Sequence, residues 1–198
     1  MLKVGITGGI GSGKTLLCKV FIQLGVPVYN ADDEAKKLLD TDAGVKQALK
    51  KHFGKIIYSS KGTINRKRLA GIVFKDKKKL ELLNSIVHPA VKKDFEKWLK
   101  GYKDFPYVIK EAAILFESGA WKGLDYIVTV SSPEKLRVRR VMKRDGVSGK
   151  EVLARMSNQA NEEERMKRSD AVIYNDGKQM VLPQVLKLHM RFTKGNTR

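Results

Sequence analysis

Residues 2–24 constrain this chain most, since they read as a strand, a glycine-rich turn and a helix in immediate succession. Leu2 to Thr7 is short and rich in β-branched residues, and Lys14 to Leu24 carries apolar residues at helical spacing. Between them Gly8, Gly13, Lys14 and Thr15 complete G-x-x-x-x-G-K-[ST], the pattern of a phosphate-binding loop. Each letter has a reason. A loop that wraps a polyphosphate must turn backbone N–H groups inward, which Gly8, Gly9, Gly11 and Gly13 allow without steric cost. The following helix points its positive end at the phosphates, and Lys14 is placed to reach the β- and γ-phosphates as a mobile charge. Thr15 would hold Mg²⁺ through its hydroxyl. The plain alternative is a glycine-rich strand-to-helix turn carrying an exposed lysine.

At 198 residues the chain is long enough for one α/β domain with insertions. It has no apolar run of membrane-spanning length and no signal-peptide pattern, so the expectation is a cytoplasmic protein. Cys18 is the single cysteine, which rules out an internal disulfide and suits a small packed residue. Lys and Arg number 40 against 21 Asp and Glu, a net charge of +19. Such an excess suggests nucleic acid or a polyanionic small substrate. The basic residues are scattered, however, and only Lys135 to Arg144 is dense. No aromatic stacking platform is interleaved with that set, and no zinc-finger or RNA-recognition signature is present, so no specific nucleic-acid partner is expected.

Along the chain, Gly25 to Asn30 reads as a short second strand, and Ala31-Asp32-Asp33-Glu34 opens a helix. Asp32 therefore stands where a strand gives way to a helix, at the end of the sheet where ligands bind in open α/β folds. It serves there either as a substrate-facing acid or as a helix cap. Residues 34–104 are helical in pattern, with breaks expected at Asp40 to Gly44, Gly54 to Thr63 and His88-Pro89. The segment is too long for an ordinary crossover and reads as an inserted substrate region. Within it Arg66 and Arg68 are candidate anion contacts, and His88 is a polar substrate contact or a packed histidine.

Tyr107-Val108-Ile109 begins another strand with Glu111 at its carboxyl end, an acid suited to ordering Mg²⁺, with Glu117 as a second candidate. Tyr126 to Val130 suits a strand buried on both faces. Ser132-Pro133-Glu134 opens a helix with serine as its expected cap. That helix aligns Arg137, Arg140 and Arg144 on one stripe, where three guanidiniums repel one another unless an anion sits between them. A second helix is expected from about Gly149 to Gln159, and the pair reads as a mobile lid. Ala171 to Tyr174 is a last strand, Asn175-Asp176-Gly177 a turn, and Lys178 to Phe192 a final helix. Asn175 is positioned to approach an adenine base. No separate second domain is evident.

These residues resemble the dephospho-CoA kinase family. The resemblance rests on Gly5 to Thr15, Asn30-Ala31-Asp32, Leu83 to Pro89, Ile114-Leu115-Phe116-Glu117, Arg140 to Asp145, Gln159 and Val172 to Asn175. Two positions depart from the family pattern: Asn30 stands where Asp is usual, and Ala113 where Pro is usual. The resemblance implies a P-loop NTPase three-layer α/β fold with a mostly parallel sheet, an inserted helical region and a helical lid. The corresponding divisions of a single kinase domain are a nucleotide-binding core of 1–33, 105–132 and 170–198, a substrate region of 34–104 and a lid of 133–169.

It implies transfer of a phosphoryl group from ATP to the ribose 3′-hydroxyl of dephospho-CoA, with Mg²⁺. Gly9, Gly11, Ser12, Gly13, Lys14, Thr15, Leu16 and Asn175 would bind nucleotide, and Thr15 with Glu111 would hold the metal. Asp32 would be the base, Arg140 and Arg144 would meet the transferred charge beside Lys14, and Asp32 and His88 would contact the acceptor. A nucleoside monophosphate kinase or other small-molecule kinase is the alternative within enzymes, and an ATP-switched nucleic-acid-binding protein is the alternative outside them.

Overall fold

The computed structural model describes residues 1–157 and 159–195. Its strands are β1 (Leu2–Thr7), β2 (Val28–Asn30), β3 (Tyr107–Glu111), β4 (Tyr126–Ser131) and β5 (Ala171–Tyr174). Its helices are α1 (Lys14–Gln23), α2 (Ala31–Thr41), α3 (Ala43–Phe53), α4 (Arg66–Val73), α5 (Lys77–Leu99), α6 (Glu134–Asp145), α7 (Gly149–Met156), α8 (Glu162–Lys167) and α9 (Val181–Thr193). Cα packing divides them into two units, Met1–Asn30 with Tyr102–Arg198, and Ala31–Gly101.

In the first unit all five strands run parallel in the order β2-β3-β1-β4-β5, which puts β1 at the centre. Alternate residues of the strands face opposite ways. Val4, Ile6, Ile109, Val128, Val130 and Ile173 pack with Leu17 and Phe21 of α1 and with Val185, Leu188 and Phe192 of α9. On the other face Gly5 lies under Leu115 and Leu124, with no room for a larger side chain without their retreat. Each fully buried aliphatic or aromatic side chain contributes about 1.5–3 kcal/mol. Burial on both faces is what favours β-branched strands here, because nothing remains to face water.

The second unit has its own core, in which Val45, Leu49, Phe53, Ile57, Leu69 and Val73 are buried against partly buried residues of α5. Two of the expected breaks are present. The first is only one residue wide, at Asp42, whose carboxylate accepts from Val45 N and caps α3. The second, 54–63, holds a 3-10 turn at Lys55–Ile57 and ends beside a bridge between Tyr58 and Ile64.

The third expected break is absent, because α5 runs through His88 and Pro89 without interruption. Proline deprives the Ser85 carbonyl of its helical donor. Both residues are exposed, so water can take that bond, while Leu80, Leu83, Ile86 and Ala90 hold the helix to the core on both sides of the proline.

Other boundaries also moved. Helix α7 ends at Met156 rather than near Gln159, and α8 follows it, capped by the Asn161 side chain on Glu163 N. Helix α9 begins at Val181 rather than Lys178, because the Asp176 carboxylate takes the amides of Lys178 and Gln179 into a turn. Among the described residues no helix is long and apolar enough to cross a membrane.

Replacing Pro89 with alanine restores one helical hydrogen bond at an exposed position. The expected gain in unfolding free energy is up to about 3 kcal/mol, read from urea denaturation followed by far-UV circular dichroism. An unchanged or lower midpoint would show that the packing of α5 needs the proline.

Candidate active site

The glycine loop leaves the carboxyl end of the central strand and enters α1 at Gly13, whose φ of 97° is the left-handed region that glycine adopts freely. A β-carbon at Gly13 would also strike the Asn175 amide. The loop carbonyls are clamped. Lys14, only 9% exposed, donates its Nζ to Gly8 O at 2.9 Å and Gly9 O at 3.4 Å. Asn175 Nδ2 donates to Ser12 O at 2.8 Å. Arg140 Nη1 reaches Gly11 O and Ser12 O at 3.4 and 3.5 Å and Ser132 Oγ at 3.0 Å, while Nη2 donates to Asn175 O and Oδ1 at 3.2 Å each.

In a trans peptide the carbonyl and the next amide point in opposite directions, so a clamp on Ser12 O turns the Gly13 N–H away from the clamp. The amides of Lys14, Thr15 and Leu16 have no acceptor within the helix, which adds the positive pole of α1 to the same loop. Ser12 and Thr7 bring buried hydroxyls without a partner among the described residues.

Glu111 closes β3 in register with Ile6 of β1 and Asn30 of β2. Its carboxylate is 5% exposed and accepts from Thr15 Oγ1 at 3.5 Å and Asn30 Nδ2 at 3.1 Å. Glu117 lies elsewhere, accepting the Ala160 amide at 2.8 Å. Of the two acids, Glu111 is the one beside Thr15. Among the described residues no cluster of three or more His, Cys, Asp or Glu is able to hold a metal. A hydroxyl and one carboxylate nevertheless suit Mg²⁺, which takes hard oxygens and commonly draws the remainder from water and phosphate. Burial, then the Glu111 charge, pushes the Cys18 thiol well above its ordinary range, so this thiol stays protonated and inert.

The arginine stripe resolves into three separate partnerships. Arg137 is buried and pairs with Glu162 at 2.8 Å, Arg140 clamps the loop, and Arg144 turns its largely exposed side chain to Asp145 at 2.7 Å. The hydrogen bond to Asp145, with the charge beside it, raises Arg144, and the same bond lowers Asp145, which Arg155 also meets at 3.0 Å. Protein acceptors therefore relieve the repulsion that the spacing alone assigned to a bound anion. Ser132 is not a cap. Pro133 occupies that position, and the Ser132 hydroxyl donates to Asn175 O at 2.8 Å. Asn175, expected near an adenine, has its side-chain amide committed to the loop and to Arg140.

In the second unit Asp32 sits inside the first turn of α2 after Ala31, not at a capping position, and His88 lies within α5. Arg66 pairs with Asp40 at 3.2 Å and Arg68 donates to Ile56 O at 3.0 Å, so both tie this unit together. Sequence reading missed Gln159, whose Oε1 accepts the loop amide of Ile10 at 2.8 Å, and Arg165, which is 2% exposed. Gln159 lay within the family resemblance. Arg165 follows Glu162-Glu163-Glu164, a pattern that reads as an exposed helix face.

A clamped glycine loop on the middle strand of a parallel sheet, with a hydroxyl and a carboxylate at its helix mouth, places the protein among the P-loop kinases. Comparison with known proteins narrows this class. The chain belongs to the dephospho-CoA kinase family, whose profile matches residues 2–180. The dephospho-CoA kinase of Bacteroides fragilis strain YCH46 is 38% identical over 187 residues, covering 94% of this chain and 91% of that one. The crystal structure of TT1252 from Thermus thermophilus superposes with a TM-score of 0.84 at 35% identity, covering 96% of each chain. Dephospho-CoA kinase from Campylobacter jejuni gives 0.73 at 26% identity over 98% of each. The protein is thus an ATP-dependent kinase of coenzyme A biosynthesis.

Two outcomes test this geometry. Asn175→Ala removes the shorter of the two bonds to Ser12 O, and the expected result is a loss of about 1–3 kcal/mol in stability together with a higher KM for ATP; unchanged values of both would show that this bond does not hold the loop. Native Cys18 is expected to resist a thiol reagent at pH 8 and to react once the protein is unfolded. Because its folded pKa is raised, the protonated thiol supports folding fully below the ordinary value of 9.0 and loses that support as pH rises past it.

Proposed function

We propose that the loop of Gly8 to Thr15 holds the triphosphate of ATP while the γ-phosphoryl group passes to the ribose 3′-hydroxyl of dephospho-CoA. The clamp on the loop carbonyls is the observation that supports this reading, because it turns the Gly13 amide away from the clamp and toward the same side as the helix pole of α1, where an anion would be favoured. Phosphoryl transfer asks a protein mainly for alignment and charge neutralisation. Gly9, Gly11, Ser12, Gly13 and Leu16 supply backbone to the phosphates, and Lys14 supplies a charge at the β and γ positions. Thr15 and Glu111 would hold Mg²⁺, which would supply positive charge to offset that of the phosphates.

Asp32 is the proposed base, accepting the proton of the attacking hydroxyl. It follows Asn30 by two residues, and Asn30 is hydrogen-bonded to Glu111. Asn in place of the usual Asp at position 30 supports this assignment, since it leaves Asp32 as the remaining carboxylate of that motif. Arg140 positions the loop, and Arg144, on the exposed end of α6, would turn from Asp145 toward the transferred charge. His88 would contact the acceptor. The segment α6–α8 would act as the lid, and Asn175 would order the nucleotide through the loop.

The direct test is ADP release with dephospho-CoA beside AMP, CMP and shikimate. Turnover confined to dephospho-CoA is expected, and preference for a nucleoside monophosphate would overturn the acceptor assignment. Asp32→Asn is expected to lower kcat by about 10²-fold or more with little change in KM for ATP. Lys14→Ala should lose a comparable factor through its phosphate contacts. A folded Asp32→Asn enzyme with its rate intact would reduce Asp32 to a helix-terminus charge.

A further inference from the structure

Arg165 is among the largest fully buried side chains of the protein, and no carboxylate contacts it among the described residues. Its Nη2 donates to the Ala160 carbonyl at 2.5 Å, while Nε and Nη1 have neither solvent nor an acceptor among the described residues. Arg137 is in a similar condition. One of its nitrogens pairs with Glu162 at 2.8 Å, and its Nε is buried without a partner among the described residues.

Both guanidiniums lie against the glycine loop. A β-carbon on Gly9 would land on the Arg137 head group, and the Arg165 Nη1 is 3.5 Å from the same point. From within the loop, Lys14 Nζ reaches the carbonyls of Gly8 and Gly9. Three cations therefore converge on one short stretch of backbone, with Glu162 the carboxylate in contact with Arg137. Glu117 acts on Arg165 through its field, but one of its oxygens is committed to the Ala160 amide. Burial, with Arg137 beside it, weakens the hold of Arg165 on its charge, against the pull of Glu117 and Glu162.

A side chain needed only for packing would be better apolar, since a desolvated charge with unfilled N–H groups costs several kcal/mol. The excess is corrected by an anion, and the loop is built to deliver one. Lys14 marks the β/γ end of a bound polyphosphate, so Gly9 lies at that end too.

We propose that Arg165 is a phosphate-contacting residue: with Arg137 it donates to the terminal oxygens of the polyphosphate that the loop holds at Gly9. This deepens the reading of the loop as the nucleotide site and rests on it. An anion taking the place of the Arg137 head group at Gly9 meets the unfilled N–H groups of both arginines. Fork-shaped, permanently charged groups suit the spread charge of a terminal phosphate.

The test is calorimetric binding of sodium tripolyphosphate to wild type, Arg165→Met and Arg165→Lys, with melting temperatures measured without ligand. Arg165→Met is expected to bind at least about tenfold more weakly while melting at or above the wild-type temperature, with Arg165→Lys intermediate in binding. ATP turnover should show a lower kcat in the same order. Arg165→Met binding tripolyphosphate within about twofold of wild type overturns the inference, as does a lower melting temperature with binding intact. If Arg165→Met fails to fold, Arg165→Lys and Arg165→Gln carry the same binding criterion. A wild type that binds tripolyphosphate but does not phosphorylate dephospho-CoA would refute the acceptor assignment alone. One that binds none would refute both readings.

Discussion

The site depends on holding the carbonyl oxygens of the glycine loop on one side. A glycine-rich loop left to itself samples many conformations, and its oxygens would repel the phosphates its amides attract. Here the oxygens of Gly8 and Gly9 are held by Lys14, and those of Gly11 and Ser12 by Arg140 and Asn175. Residues distant in sequence thus hold the loop in one shape. That arrangement moves part of the ordering cost from binding to folding.

The same clamps explain how a strongly basic chain tolerates so many cations near one loop. Arg140 is satisfied by carbonyls, Arg144 by Asp145 and Arg137 in part by Glu162. Arg165 stands apart because its surroundings supply one carbonyl and no contacting carboxylate among the described residues. Lys36 and Lys37 pair with Asp33 and Glu34 one helical turn away, exposed contacts that contribute little to stability.

The unit of Ala31–Gly101 carries a second core built on the same helical periodicity that marked it in the sequence. Its arginines hold its own turns together, and Asp40 binds both Ile64 N and Arg66. Spacing could not reveal this. Arg66 and Arg68 beside a turn look alike whether they meet a substrate anion or a neighbouring carboxylate. Pro89 misled for a related reason: a helix propensity describes an isolated segment, whereas apolar contacts on both sides of the proline decide whether α5 continues.

Local sequence determined the phosphate-binding loop, all five strands, the inserted helical segment and the family, because each is written in glycine placement, β-branched runs or motif spacing over short distances. Tertiary structure decided which acid stands beside Thr15, since Glu111 and Glu117 differ only in where β3 releases them. It decided that Arg137, Arg140 and Arg144 part company, because a stripe on one helix cannot state what other elements bring to it. It alone revealed that Arg165 is buried with its head group beside the loop and Arg137, neither of which is near it in the chain. Partners that far apart in sequence leave no local pattern, and only the folded chain brings their charges together.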